Sequence, residues 1–459
     1  MIRMDYDKIL SKITPTRQEK KAVKRFTNKL IKTINNIAEK KNIKAKAELV
    51  GSVAKGTWLK GEADIDIFIK FPLKTPKEKL KKYGLQLGHE CIKTMKGQAE
   101  EKYAAHPYVT GHIKGYEVDI VPCYDITDAS QLKSAVDRTI LHTRYIKKNL
   151  KKEQIKEVLL LKKFMKAIGA YGSEFKVGGF AGYLCELLII AYENFKGVLE
   201  AAALKWRKGQ IIDIEGHGTG KYFKNPLIVI DPTDKNRNVA AALTQQKLSE
   251  FIIVARNFLE NPKEDYFQEI KYSHDKEKIH TKFKQRESKC IILEFNPPNV
   301  PADTLYPQLK KTMDTLVSHL SKEGFKVNRS SYWTDEKKNS LIIFEFETWK
   351  LPAYRKHMGP RIWSKKHTRR FHKKYGDKIW IEGDRLFVER KRKTTRPETC
   401  LKSLLTEIEY LGVGKHIKKE LKKGYKIIDI NKYLESEQPQ EALEFLDAFL
   451  NPGKHLWRS

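Results

Sequence analysis

The sequence has few cysteines, no long apolar run and far fewer acidic than basic residues. Its five scattered cysteines form no Cys-x-x-Cys pair, which predicts free thiols in a reducing cytoplasm. The most apolar candidate for a membrane span, residues 183–192, is too short and contains Glu186. Residues 1–10 are polar and lack the apolar core of a signal peptide. We therefore expect neither a membrane-spanning nor a secreted protein.

The excess of basic residues is the main compositional signal. The chain of 459 residues has 90 Lys and Arg against 57 Asp and Glu, a formal net charge of +33. Such a charge predicts a polyanionic partner, either nucleic acid or a membrane surface. Without a membrane segment, nucleic acid is the favoured partner. The length allows about two to four domains.

The first section of the chain predicts a small α/β domain. Residues 16–42 have helical spacing of apolar residues, with Thr16 and Glu19 placed as a capping box. A strand at 47–50 follows, then a helix around 76–97. Two further strands flank a turn at 114–115.

The rest of the chain predicts a helical section and then a mixed one. From about residue 154 the pattern is largely helical, with a turn at 231–234 and a helix over 240–258. From about residue 291 strands return beside two helices, which predicts one or two α+β modules. The expected strands are 291–295, 341–346, 379–381 and 386–389, and the expected helices are 305–322 and 401–412.

Two aspartates on one short strand are the strongest functional signal. Residues 65–69 are β-branched and aromatic apart from one acid, so they predict a buried strand. Side chains two residues apart share a face of a strand, so Asp64 and Asp66 should converge. Asp119 lies in a second apolar strand at 116–122. Three acids on adjacent strands predict a two-metal site, and hard oxygen ligands suit Mg²⁺.

The segment before that strand predicts a phosphate-binding loop. Gly51 and Ser52, followed by Lys55, Gly56 and Thr57, offer backbone N–H groups, hydroxyls and a cation. A carboxylate pair beside a phosphate cradle predicts nucleotidyl transfer. The alternative is a solvated strand end, which the apolar neighbours of the aspartates disfavour because unpaired charges are costly there.

Other candidates are ambiguous when each is taken alone. Lys55, His142, Lys162 and Tyr171 could contact a strongly anionic triphosphate. A lysine is more often solvated surface, and a lone histidine is more often a satisfied polar residue. Lys162 could extend along its helix and reach water.

The segment 355–396 is basic and contains interleaved aromatics. Its basic residues indicate binding to an RNA backbone. Its aromatic residues are expected to form a small hydrophobic core, and the alternative interpretation is that they stack on bases. These aromatics are Trp363, Phe371, Tyr375, Trp380 and Phe387.

Several segments together resemble the archaeal, class I CCA-adding enzymes of the polymerase-beta nucleotidyltransferase superfamily. The resemblance covers nearly the whole chain and is most specific in the first half. The segments that carry it are residues 51–59 (GSVAKGTWL), 64–68 (DIDIF), 105–108 (AHPY), 118–124 (VDIVPCY), 134–139 with His142, 171–176, 179–187, 231–232, 237–241, 359–360 and Trp363.

The resemblance implies an α+β multidomain fold and an activity. Residues 1–145 would form a polymerase-beta-like catalytic head, 146–258 a helical neck, and 259–459 an α+β body and tail that bind tRNA. Such enzymes add C, C and A to the 3′ end of tRNA from CTP and ATP without a nucleic-acid template. They use Mg²⁺ and release pyrophosphate, and we expect a cytoplasmic location.

The resemblance also implies roles for single residues. Asp64, Asp66 and Asp119 would be catalytic and bind the metal ions. The nucleotide would contact Gly51, Ser52, Lys55, Thr139, His142, Lys162, Tyr171 and Arg237, with Thr139 at the ribose and Arg237 in the base-selecting pocket. Relatives often have Glu at the position of Asp64 and an acid at the position of Ala105.

Two alternatives of different classes stay open. A poly(A) or oligoadenylate polymerase would need the same head and neck, and CTP use would distinguish it. A non-catalytic RNA-binding protein of the same fold would have no reason to retain three acids. The sequence leaves both a monomer and a homodimer open.

Overall fold

A computed structural model describes residues 4–103 and 106–458, so Ala105 and any role for it lie outside the described residues. The chain forms two compact units. The first runs to Ile270 and includes the C-terminal segment from Gly453, and the second is Lys271–Pro452. The predicted boundaries at 145 and 258 stay predictions.

The first part of unit 1 is a five-stranded sheet flanked by helices. The strand order is β1-β2-β5-β4-β3, with β2 and β5 parallel and the other pairs antiparallel. The elements are α1 (Tyr6–Ile13), α2 (Arg17–Lys40), β1 (Lys46–Val50), α3 (Gly51–Lys55), β2 (Ile65–Phe71), α4 (Lys77–Thr94), β3 (Gln98–Tyr103), β4 (Pro107–Ile113), β5 (Tyr116–Tyr124) and α5 (Arg138–Asn149).

Helix α2 begins where the capping residues predict. The Thr16 hydroxyl accepts a hydrogen bond from the Glu19 N–H at 3.1 Å, and the Glu19 carboxylate accepts one from the Thr16 N–H at 3.3 Å. The apolar face of α2, with Leu30 and Ile34 fully buried, packs in the core of the sheet domain. The predicted capping box and the predicted α/β domain are therefore confirmed.

The second part of unit 1 is helical but contains a small sheet. The sheet has the order β6-β7-β8. The elements are α6 (Gln154–Ala167), α7 (Gly182–Tyr192), α8 (Phe195–Leu204), β6 (Gln210–Ile212), β7 (Leu227–Asp231), β8 (Asp234–Asn238) and α9 (Gln245–Glu260). The section is largely helical, as predicted, but residues 210–238 contain the small sheet, which the sequence pattern does not predict.

The helix predicted from residue 240 begins later, at Gln245. The Asn238 side chain accepts from the N–H groups of Val229 and Ala240, so it holds the chain in a turn after β8. The Thr244 hydroxyl then caps α9 by accepting from the Lys247 N–H at 3.2 Å. The capping side chain, rather than the spacing of apolar residues, therefore determines where α9 begins.

Unit 2 contains two antiparallel sheets, ordered β10-β11-β9-β15 and β12-β14-β13. Its elements are α10 (Lys276–Gln285), β9 (Lys289–Phe295), α11 (Ala302–Glu323), β10 (Val327–Thr334), β11 (Ser340–Phe346), β12 (Tyr354–Arg361), α12 (Lys365–Tyr375), β13 (Ile379–Glu382), β14 (Arg385–Lys391), α13 (Pro397–Thr406), α14 (Lys415–Lys423), β15 (Lys426–Asp429), α15 (Ile430–Glu435) and α16 (Gln440–Leu450). The four expected strands are confirmed as β9, β11, β13 and β14. Strands β10, β12 and β15 lack an uninterrupted apolar run, so the sequence pattern does not predict them.

The cysteines agree with the prediction of free thiols, since all five are unpaired and buried. Within the described residues, no helix is both long and apolar enough to span a bilayer.

A buried carboxylate organises one face of the larger sheet in unit 2. Glu345 in β11 is fully buried, and Arg286 Nη2 and Arg329 Nε each donate to its Oε2 at 3.0 Å. The Ser288 hydroxyl donates to Oε1 at 2.7 Å. Burial alone would raise the pKa of Glu345, but these donors outweigh it and lower the pKa to about 2.

We predict that unit 2 loses stability in acid below the ordinary pKa of a glutamate. A lowered native pKa stabilises the fold above about pH 4.5, and this contribution, on the order of 3 kcal/mol, is lost as the pH falls to about 2. Hydrogen exchange of the β11 amides measures it. Glu345→Gln should flatten the acid dependence, whereas Glu347→Gln, an exposed acid beyond the same strand, should not. Equal profiles for the two variants would contradict the assignment.

Candidate active site

Two of the predicted metal ligands lie directly opposite each other in the sheet. The parallel pairing of β2 and β5 places Asp66 beside Asp119, and both are partly buried. Asp64 comes just before β2 and is exposed. The Thr110 hydroxyl on β4 donates to Asp119 Oδ1 at 2.6 Å, which fixes that carboxylate.

The carboxylates repel one another and are short of compensating charge. Burial raises the pKa of Asp66 to about 7, with Asp119 and Asp64 adding to the rise and Lys55 opposing it. Burial also raises the pKa of Asp64 and of Asp119. Hard oxygen ligands with uncompensated negative charge fit a divalent cation.

The three predicted metal ligands do not form a complete metal-binding site as they are placed. In the described part of the chain, no group of three or more His, Cys, Asp or Glu side chains could hold a metal ion as placed. The pair of Asp66 and Asp119 is brought together by the sheet. The three-carboxylate site stays a prediction.

The predicted Gly-Ser loop is a short helix, which corrects the expectation. Helix α3 starts at Gly51 with φ +71° and ends before Gly56 with φ +74°. A Cβ at Gly51 would lie 2.0 Å from Asp66 Oδ2, so only glycine permits this approach. The Gly51 N–H donates to the Thr143 hydroxyl at 3.4 Å. Ser52 follows on α3 and is partly buried.

Two predicted nucleotide contacts converge on a buried aspartate. Asp231 Oδ2 accepts from His142 Nε2 and from Arg237 Nη1, both at 2.8 Å. Tyr183 stacks on His142 with 3.9 Å between ring centroids, and its hydroxyl donates to Asp231 Oδ1 at 3.3 Å. Thr139 lies one turn earlier on α5, and its carbonyl accepts from the Thr143 hydroxyl.

The electrostatics of this cluster keep Asp231 ionised. Burial alone would raise the pKa of Asp231, but the His142 hydrogen bond, the Thr233 N–H and the Arg237 charge hold it well below its usual range. Burial lowers the pKa of His142 despite Asp231. The aspartate thus fixes the orientation of His142 and Arg237.

The remaining predicted contacts lie around a buried glutamate. Lys55 Nζ donates to Glu186 Oε2 at 2.6 Å, and Lys162 Nζ lies 3.8 Å from Glu186 Oε1. Lys162 is buried, so the alternative in which it reaches water is wrong. Tyr171 is partly buried, and its backbone pairs with Phe180.

Three family models match the chain in consecutive segments. The description "Nucleotidyltransferase domain" matches residues 31–142, "tRNA nucleotidyltransferase, second domain" matches 156–268, and "CCA-adding enzyme, C-terminal domain" matches 286–429. The first segment holds the carboxylate pair, and the second holds Lys162, Glu186 and Asp231.

Full-length relatives decide the family. The CCA-adding enzyme of Methanothermobacter thermautotrophicus is 53% identical over 454 residues, which cover 99% of each chain. The chain belongs to the archaeal CCA-adding enzymes. Within this family, the CCA-adding enzyme of Methanopyrus kandleri is 37% identical over 86% of this chain and 85% of its own. That of Haloarcula marismortui is 34% identical over 92% of this chain and 93% of its own.

Solved structures add only a distant likeness. A Cid1 poly(U) polymerase has a TM-score of 0.46 at 15% identity, covering 58% of this chain and 98% of that chain. At this distance it bears on neither fold nor function. The polymerase-beta-like nucleotidyltransferase fold and its α+β multidomain setting follow from the family.

Sequence reasoning assigns no separate role to two buried acids that hold several of the predicted contact residues. It places Asp231 in a turn and Glu186 inside an apolar run that it interrupts, and it counts both only within the segments that resemble the family. That interruption is itself a signal, because an acid inside an apolar helix must be paired when it is buried. For Asp231 the signal is weaker, since Asp-Pro is common in turns.

We predict that Asp231→Asn costs about 3 kcal/mol of unfolding free energy, because it leaves His142 and Arg237 without their buried countercharge. Asp234→Asn is the matched control on the same hairpin, where the acid has Arg138 as its charged partner. That control should cost about 1 kcal/mol. Hydrogen exchange of the β7 amides at increasing urea concentration measures the free energy of unfolding of both variants. Equal losses would show that Asp231 is not the organising group.

Proposed function

We propose that this protein adds C, C and A to the 3′ end of tRNA from CTP and ATP without a nucleic-acid template. The supporting observation is the 53% identity to a CCA-adding enzyme over 99% of both chains. The acceptor hydroxyl would attack the α-phosphate of the nucleotide and pyrophosphate would leave. The catalytic residues would position these groups and neutralise charge rather than form a covalent intermediate.

We assign the metal site to Asp64, Asp66 and Asp119. Nucleotidyltransferases typically use a divalent metal, and the proposed ion here is Mg²⁺. The adjacency of Asp66 and Asp119 and their uncompensated charge support this assignment. Bound there, the metal would neutralise charge on the reacting phosphate. Thr110 would hold Asp119 in place.

We assign nucleotide binding to eight residues of unit 1. Gly51, Ser52, Lys55, Lys162 and Tyr171 would contact the triphosphate. Three further residues complete the set: His142 would contact the triphosphate and sugar, Thr139 the ribose, and Arg237 the base. The hydrogen bonds of His142 and Arg237 to Asp231 support their placement, because both side chains are held by the same acid.

We assign tRNA binding to the body and tail within residues 259–459, and the head and neck to residues 1–145 and 146–258. Helix α12 supports this assignment, because it contains basic and no acidic side chains in the sequence KKHTRRFHKKY. Cytoplasmic location, and the choice between monomer and homodimer, stay predictions.

Single-nucleotide extension tests the function. tRNA ending before the first C, at the first C and at both C residues should accept CTP, CTP and ATP respectively, with growth stopping after A. Incorporation of ATP alone in long runs would favour the poly(A) polymerase, and tRNA binding without any incorporation would favour the non-catalytic RNA-binding protein.

We predict that Asp119→Ala reduces nucleotide addition by at least about a hundredfold, because charge stabilisation at the reacting phosphate is lost. Its tRNA affinity should change by less than about threefold, since phosphate contacts elsewhere supply most of it. Glu117→Gln is the control, because Glu117 lies two residues earlier on the same strand and is exposed. Retained addition by Asp119→Ala would contradict the carboxylate site.

We predict that Arg369→Gln with Arg370→Gln weakens tRNA binding and lowers the slope of log affinity against log salt by about 1 to 2, because each lost phosphate contact removes about one unit. Lys418→Gln with Lys422→Gln is the control, since both lysines of α14 pair with Glu409. Titration of tRNA at several salt concentrations measures both slopes. Unchanged slopes in the α12 variant would exclude this helix as an RNA contact.

A further inference from the structure

A fully buried glutamate joins two lysines and a threonine in unit 1. Glu186 on α7 accepts from Lys55 Nζ at 2.6 Å and from the Thr57 hydroxyl at 2.5 Å. Lys162 Nζ donates to the Thr57 carbonyl at 2.7 Å and lies 3.8 Å from Glu186 Oε1. Four polar side chains from three helices and a loop thus share one buried site.

The charges in this site are unequal. Two ammonium groups, on Lys55 and Lys162, face one carboxylate, and the exposed side-chain fractions are 7%, 3% and 0% for Lys55, Lys162 and Glu186. Burial lowers the pKa of Lys162, and the nearby charge of Lys55 acts in the same direction. Glu186 is the strongest opposing group, with smaller contributions from Cys185 and Glu62. The carboxylate is therefore the main reason for Lys162 to stay protonated.

The same ammonium group borders the start of α7. A Cβ built at Gly182 would lie 3.0 Å from the Tyr171 hydroxyl and 3.5 Å from Lys162 Nζ. Gly182, the Tyr171 hydroxyl and Lys162 Nζ therefore lie close together. A neutral Lys162 would contribute no charge to the binding of a triphosphate, whereas a protonated one would.

We propose that Glu186 is a positioning residue for the triphosphate of the incoming nucleotide, which fixes Lys55 and Lys162 and keeps Lys162 charged. The inference rests on the proposed function, because it takes these lysines as phosphate contacts. Glu186 acts through them, since its own oxygens are used by Lys55 and Thr57.

The test is the pH dependence of ATP binding. Calorimetric titration with ATP and Mg²⁺ at about pH 7.5 and about pH 9.5 gives the fall in affinity of the wild type as the reference. Glu186→Gln keeps the shape of the side chain but removes its charge, so its affinity should fall at least about tenfold more than that of the wild type over the same interval. Glu186→Asp withdraws the carboxylate by one methylene, and its affinity should fall about threefold more than that of the wild type.

A second substitution identifies the ionising group. Arginine stays charged throughout this interval, so adding Lys162→Arg to Glu186→Gln should remove the pH dependence. Glu250→Gln is the matched control, because Glu250 is a buried acid of the same unit with Lys247 as its partner. Its profile should match that of the wild type.

The outcomes separate the inference from the function. A profile for Glu186→Gln no steeper than that of the wild type, or a pH dependence that survives Lys162→Arg, overturns the role of Glu186. If Glu186→Gln does not fold, a profile for Glu186→Asp no steeper than that of the wild type overturns it equally. A wild type that binds neither ATP nor CTP contradicts the proposed function instead.

Discussion

The adjacency of Asp66 and Asp119 across two parallel strands is the constraint on which the site depends. Two partly buried carboxylates side by side repel each other, and the charge of Asp119 adds to burial in raising the pKa of Asp66. The repulsion occurs at the sheet edge where the backbone of Gly51 lies in close contact with the Asp66 carboxylate. The proposed divalent cation would relieve this repulsion.

Buried acids organise cations in both units. Asp231 orients His142 and Arg237, Glu186 holds Lys55 and Lys162, and Glu345 joins two arginines of the second unit. The chain has a net charge of +33, so basic residues far outnumber acids. The basic residues that a buried acid holds lose their freedom to move, so their geometry is set before any ligand arrives.

Much of the catalytic domain can be predicted from sequence because its signals are local. The capping box of Thr16 and Glu19, the apolar strand after Asp64 and the turn before Tyr116 each lie within a few residues. Asp66 and Asp119 are more than fifty residues apart in the chain. The sequence predicts that they lie near each other on one sheet, but it does not predict that they are directly paired. The contacts of Asp231 with His142 and of Glu186 with Lys55 escape sequence reasoning because the partners are far apart in the chain. Helix α3 escapes it because five residues are too few for periodicity.

The approach of Gly51 to Asp66 permits the most direct measurement. Gly51→Ala and Gly56→Ala both place a side chain at positive φ, +71° and +74°, which costs about 1 to 2 kcal/mol in each. Only the first brings a Cβ onto the Asp66 carboxylate, whereas the second meets Ile155 at an ordinary 3.9 Å. In the extension assay with CTP, Gly51→Ala should lose about a hundredfold in rate and Gly56→Ala less than about threefold. Equal rates for the two variants would contradict a catalytic Asp66 held by this contact.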